Sequence, residues 1–136
     1  MIDDVLRTAI VSRFDATPND FHTAVGGRLA YVRGHHSWEN NYSVFSFPSG
    51  LGSANTMRDA TIFDSDVQFS CFSSTSSGAS DIALKCHDHF HRETLSASGI
   101  ENFKLTYSHG ISPIPAGGDV GLWMAAVIFE FMVQRA

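Results

Sequence analysis

The sequence predicts an α+β fold: a mainly antiparallel sheet of about four to five strands with two helices packed on one face. Three features point to it. The chain closes on a long alternating strand, two stretches repeat apolar residues at helical spacing, and short polar connections join the strand-like segments.

Residues 3–14 have the pattern of an amphipathic helix. Ile2, Val5, Leu6, Ala9 and Ile10 share one face, with Phe14 at its edge. Asp3 or Asp4 suits the open N–H groups at its start. Pro18, within Thr17-Pro18-Asn19-Asp20, ends it. After Gly26-Gly27, a turn that calls for positive φ, Arg28 to Arg33 is a short strand. His35 to Asn41 is a polar connection, and Tyr42 to Phe47 is the next strand, closed by Pro48. Ser49 to Ala60 is a Gly/Ser/Asn-rich loop, longer than the usual connection of about four to six residues, and long loops in compact domains are usually functional.

Thr61 to Phe72 is the third strand, with Val67, Phe69 and Cys71 facing one way. Ser73 to Gly78 is a break. Ala79 to Glu93 is the second helix, with Ala79, Ile82, Ala83, Cys86 and Phe90 as its apolar stripe and Ser80 or Asp81 as its cap. Leu95 to Ile100 turns the chain, and Phe103, Leu105, Tyr107 and His109 alternate along a fourth strand. Ile111 to Gly118 is expected as a loop, because Pro113 and Pro115 lack donors. The last strand follows. Trp123, Ala125, Val127, Phe129, Phe131 and Val133 form one apolar face; Met124, Ala126, Ile128, Glu130 and Met132 form the other, interrupted by a carboxylate.

The 136 residues fit a single domain spanning 1–136, and 43% hydrophobic content with eleven Phe is ample for one core. Charged residues make up only 17%, with a net charge of −5 and a pI near 5.7. No Lys/Arg run or basic stripe offers itself to phosphates, which argues against a nucleic-acid-binding module. Cys71 and Cys86 are expected as buried free thiols. There is no leader-like start and no apolar run of the roughly 18 residues a bilayer requires. A soluble protein made in a cytoplasm, with no membrane contact, is the expectation.

Candidate chemistry is thin. Cys86-His87-Asp88-His89-Phe90-His91 holds four possible metal ligands, and His87 and His91, four apart, share a helix face. A third ligand would have to come from His109 or His36. The simpler reading leaves them as rim histidines, so no metal, cofactor or catalytic residue is assigned. No Gly-x-Ser-x-Gly elbow is present, and Cys71 sits mid-strand facing inward, unlike a reactive thiol. Asp64 and Asp66 share a strand face and read as its solvated end. Gly50-Leu51-Gly52 matches only a fragment of a dinucleotide pattern.

Taken together, the N-terminal helix, Gly27-Arg28-Leu29 opening the first strand, the Asp64-Ser65-Asp66 approach to the third, the helix starting near Ala79, and Asp119-Val120-Gly121-Leu122-Trp123 before the long closing strand carry a resemblance. The chain resembles the tail terminators (tail-to-head joining or tail-completion proteins) of long-tailed bacteriophages of the lambda type, over nearly its whole length. The resemblance implies a virion structural protein rather than an enzyme, assembled in the host cytoplasm. It implies a homo-oligomeric ring, typically of six copies, at the head-proximal end of the tail tube. That ring stops tube polymerisation and presents a surface to the neck or connector protein of the capsid, while DNA passes through its lumen without specific binding. Related head-completion or stopper proteins of the neck share the layout and remain the alternative, ahead of a small His-ligated metal enzyme.

Sparse charge fits surfaces meant for burial, and a heterologous contact that closes by rotation gives a ring. The loops over 49–60 and 110–118 are the expected meeting points with the tube, the neck or the next copy. Leu51, Met57, Arg58 and Ile114 are the interface candidates there. Trp38 joins them, because a Trp in a polar connection is unusual and Trp is enriched where binding energy concentrates.

Overall fold

The first amphipathic stretch forms α1 (Ile2–Asp15), and its apolar stripe puts Leu6, Ala9, Ile10 and Phe14 into the core. In the computed structural model, residues 2–16, 19–32, 41–48, 62–116 and 121–135 are described. The elements run α1, α2 (Asp20–Ala24), β1 (Leu29–Tyr31), β2 (Tyr42–Ser46), β3 (Ile62–Ser73), α3 (Ser76–Phe90), β4 (Thr94–Leu95), β5 (Ile100–Pro115) and β6 (Trp123–Arg135). The fold is α+β, but with three helices and six strands among the described residues rather than two and four to five.

The sheet order is β1-β2-β3-β6-β5-β4. Every pairing is antiparallel except β1 with β2, which run parallel. The long closing strand lies in the centre of the sheet, paired along its length with β3 on one side and β5 on the other.

Three local expectations need correction. The helix α2 is extra: Asn19 caps it, its side-chain oxygen accepting from the His22 N–H, and it carries the fully buried Phe21. Secondly, α3 starts earlier than Ala79. Thr75 caps it by accepting from the Gly78 N–H at 3.0 Å, while Asp81 pairs with Lys85 inside the helix at 3.0 Å. At the start of α1, Asp4 pairs with Arg7 at 3.0 Å. Finally, Ile111 to Pro115 is strand, not loop: Ile114 pairs with Met124 and Pro115 with Trp123. A register shift between Ile111 and Ile114 absorbs Pro113, and the edge position of this part of β5 tolerates prolines.

All three helices contribute to one core against one face of the sheet. Phe69 on β3 is its hub, stacked on Phe90 of α3 at 4.7 Å and edge-on to Phe21 and Phe129 at 6.3 and 5.8 Å. Cys71 and Cys86 are buried free thiols within it. Burial and the hydrogen bond to Cys71 push the Cys86 thiol well above its ordinary pKa. The ends of α1 and α3 are clamped reciprocally. The Arg13 guanidinium donates to the His89 carbonyl at 3.0 and 3.3 Å, and His89 Nε2 donates to the Arg13 carbonyl at 2.8 Å. Burial is the main cause that holds the His89 pKa below the ordinary imidazole value, against the hydrogen bond that raises it.

Candidate assembly surface on the helix-free face

Because side chains alternate along a strand, the register assigns every residue to a face. On β3 and β6, Val67 with Phe129, Phe69 with Val127 and Cys71 with Ala125 point to the helices. Their neighbours point the other way: Asp64 with Met132, Asp66 with Glu130, Gln68 with Ile128, Ser70 with Ala126, and Phe72 with Met124. No helix covers this second face among the described residues. Tyr42 and Val44 of β2 join it on one side, and Lys104, Thr106, His109, Ile111 and Ile114 of β5 on the other.

That face divides into two chemically distinct halves. Towards the Trp123 end it is apolar. Tyr42 stacks on Phe72 at 4.7 Å, Val44, Ala126 and Ile128 are already buried, and Ile111 and Ile114 remain 38% and 45% exposed. Towards the other end it is acidic. Asp64, Asp66 and Glu130 line an open depression with Lys104, Thr106, Asn102 and Met132. Asp66 and Glu130 stand directly opposite each other on adjacent strands, an arrangement that costs stability. None of the three carboxylates has an ion-pair partner among the described residues. Asp66 Oδ1 is buried without a hydrogen bond among them, and Glu130 accepts only a long bond, 3.4 Å, from Ser108.

The expected interface residues divide in the same way between what is described and what is not. Ile114 lies on β5 in the apolar half. Trp38, Leu51, Met57 and Arg58 lie outside the described residues, as does the whole 49–60 loop. The stacked Tyr42–Phe72 pair and the Asp66–Glu130 juxtaposition carry no sequence motif. Each is produced by strand register, and only alternation combined with the correct pairing could have found them.

The histidines separate rather than converge. His87 and His91 do share one flank of α3, their rings stacked at 4.8 Å and 23°. His109 pairs with Ile128 on the opposite face of the sheet, because a bulge between Tyr107 and His109 breaks the expected alternation. His91 Nδ1 accepts the Tyr107 backbone N–H at 3.0 Å, and His87 Nδ1 lies 3.0 Å from Asp88 Oδ1. No group of three or more His, Cys, Asp or Glu side chains is placed to hold a metal among the described residues; His36 lies outside them. Among those residues, too, no helix is long and apolar enough to cross a membrane.

One likeness stands out against this geometry. The chain is similar in fold to a chain from the virion of a native gene transfer agent particle. The match covers 97% of this chain and 96% of that one, with a TM-score of 0.66 and 12% sequence identity. A second solved chain, whose name describes no function, matches over 98% of this chain and 96% of its own, with a TM-score of 0.64 and 15% identity. At these identities the likeness is one of fold. No protein-family model matches the sequence. No curated protein matches it either.

Proposed function

We propose that the protein is a structural component of a phage-type virion, and specifically a tail terminator. In this reading copies of the chain close into a ring, six in number by analogy with the family it resembles, at the head-proximal end of a tail tube. The ring caps the tube and meets the neck of the capsid. The observation that carries the proposal is the end-to-end fold likeness to a chain of a gene transfer agent virion, which leaves almost none of either chain unmatched.

The helix-free face supports it chemically. Its apolar half leaves Ile111 and Ile114 of β5 exposed, side chains suited to burial by a neighbouring subunit. Its acidic half keeps carboxylates without cationic partners among the described residues. Such a strip would repel phosphates rather than grip them, as suits a lumen through which DNA slides.

Native mass spectrometry of the untagged protein over a concentration series, followed by a tail-capping assay, tests the reading. The expected results are a closed ring, free or formed on tubes, and tails of uniform length only when the protein is present. Unchanged tail-length distributions with and without the protein would refute it. Recovery of the protein on filled heads and not on tails would replace it with the stopper reading.

A further inference from the structure

The edge of β5 is closed by an imidazole. On its outer side β4 pairs only through Thr94 with Lys104 and Leu95 with Phe103. The ladder is continued by Arg92 N–H to the Leu105 carbonyl at 2.8 Å and Leu105 N–H to the Glu93 carbonyl at 3.3 Å. The next outward-pointing donor is Tyr107 N–H, and no strand residue takes it. His91 Nδ1 does, at 3.0 Å. The His91 ring is held there between His87, stacked at 4.8 Å, and the Tyr107 ring, edge-on at 6.4 Å; Tyr107 also lies edge-on to His87 at 4.9 Å.

A nitrogen that accepts an N–H bond is unprotonated, so the contact requires neutral His91 with its proton on Nε2. A second proton would set donor against donor. We infer that His91 is a proton-operated plug on the sheet edge: neutral, it seals the Tyr107 amide and pins the root of the outer part of β5; protonated, it releases both. The root is the right place for such a device. The bulge between Tyr107 and His109 begins there, and beyond it Ser108 to Ser112 are exposed.

The groups facing His91 set the direction. From α3 come His87 and Asp88. Arg92 and Glu93 follow the helix, with Glu93 tied to Arg13 of α1 at 3.6 Å, Tyr107 contacts it from β5, and Lys104 of β5 acts on it through its charge. Partial shelter of the ring, then His87, Arg92 and Lys104, hold the His91 pKa below the ordinary imidazole value. The plug is therefore set at neutral pH and opens on acidification.

The test is an NMR titration of the full-length protein from pH 8 down to 4.5, following the His91 ring and the amide hydrogen exchange of Tyr107, corrected for the intrinsic rate. Tyr107 protection is expected to fall about tenfold, the loss of one hydrogen bond, at the His91 midpoint, while Phe103 and Leu105 amides stay protected. In His91→Asn, whose amide oxygen accepts but does not titrate, Tyr107 protection is expected to show no such step. In His87→Asn the His91 midpoint should move up. A His91 ring that titrates while Tyr107 protection stays flat overturns the inference, and so does a step that persists in His91→Asn.

Discussion

Replacing Asp66 with Asn should make this protein more stable, although it alters a residue on the proposed assembly surface. Asp66 and Glu130 are register partners on adjacent antiparallel strands, so their Cβ atoms stand about 5 Å apart. At that separation two unit charges repel by about 0.8 kcal/mol in water and about 3 kcal/mol at an effective dielectric of about 20. Glu130 is exposed and Asp66 half-buried with one oxygen enclosed, which places the pair between the two limits, and side-chain relaxation reduces the repulsion. Asn keeps the shape, removes the charge and adds a donor that Glu130 can accept. The expected gain is about 0.5–1 kcal/mol. With a urea m-value of about 2 kcal/mol/M, the midpoint should rise by about 0.25–0.5 M at pH 7. In 1 M salt, where the Debye length falls to about 3 Å, the difference from wild type should shrink. Asp64→Asn, which faces Met132 and no carboxylate, should move the midpoint by no more than about 0.5 kcal/mol in free energy. A destabilised Asp66→Asn, or a gain indifferent to salt, would remove the repulsion from the account. Tails capped as well by Asp66→Asn as by wild type would separate the carboxylate from assembly, because a stabilising change that leaves function intact identifies no functional constraint.

Three further outcomes follow from the same geometry. Phe69→Ala removes the ring at the centre of four aromatic contacts, to Phe21, Phe45, Phe90 and Phe129, and should cost about 3–5 kcal/mol by urea unfolding; a loss under about 1 kcal/mol would mean the core is not organised around it. His89 and His91 both have folded-state pKa values below their ordinary 6.5, so the unfolded chain binds more protons as pH falls. Their contribution is full above about pH 6.5 and is lost as pH drops towards the depressed folded values, so the urea midpoint should fall between pH 7.5 and 5; a midpoint that rises over that window contradicts the assigned direction. Ile114→Asp, on the exposed apolar half of the sheet face, should leave unfolding within about 0.5 kcal/mol of wild type yet lower ring formation in native mass spectra, and undiminished rings would move the subunit contact elsewhere.

Much of the fold was legible because its long elements have strong periods. The apolar alternation of β6 and of β3 predicted their existence and their inward face, and the 3.6-residue stripe of α3 predicted which side of it meets the sheet. Short elements escaped for the opposite reason. Two residues of β4 and five of α2 are too few to repeat a period, so their formation rests on tertiary contact: Leu95 and Phe21 are buried in the shared core. The prolines misled because a missing N–H forbids a central strand and not an edge one, and β5 is an edge over that stretch. The alternation through Tyr107 and His109 failed at a bulge, which flips the side chains that follow as far as the next register shift, between Ile111 and Ile114, and is invisible to composition. Of the candidate site, the residue types were visible and the pairings were not.

The edge chemistry also constrains how a ring of such chains would be built. The Ala116 N–H turns inward to the Leu122 carbonyl at 2.8 Å, so alternation directs the nitrogen of Pro115 outward, where it has no hydrogen to offer. Pro113 removes a donor within the adjacent register shift, a second bulge distorts the strand at Tyr107 and His109, and His91 occupies the amide between them and β4. An edge with so few donors is a poor template for another strand, which is how natural sheets avoid open-ended pairing. Neighbouring copies recruited along this side would have to meet through side chains, and the side chains on offer are Ile111 and Ile114 on the helix-free face. Face contacts between unlike surfaces fix an angle between subunits, and a fixed angle is what allows a heterologous contact to close into a ring instead of running on as a filament.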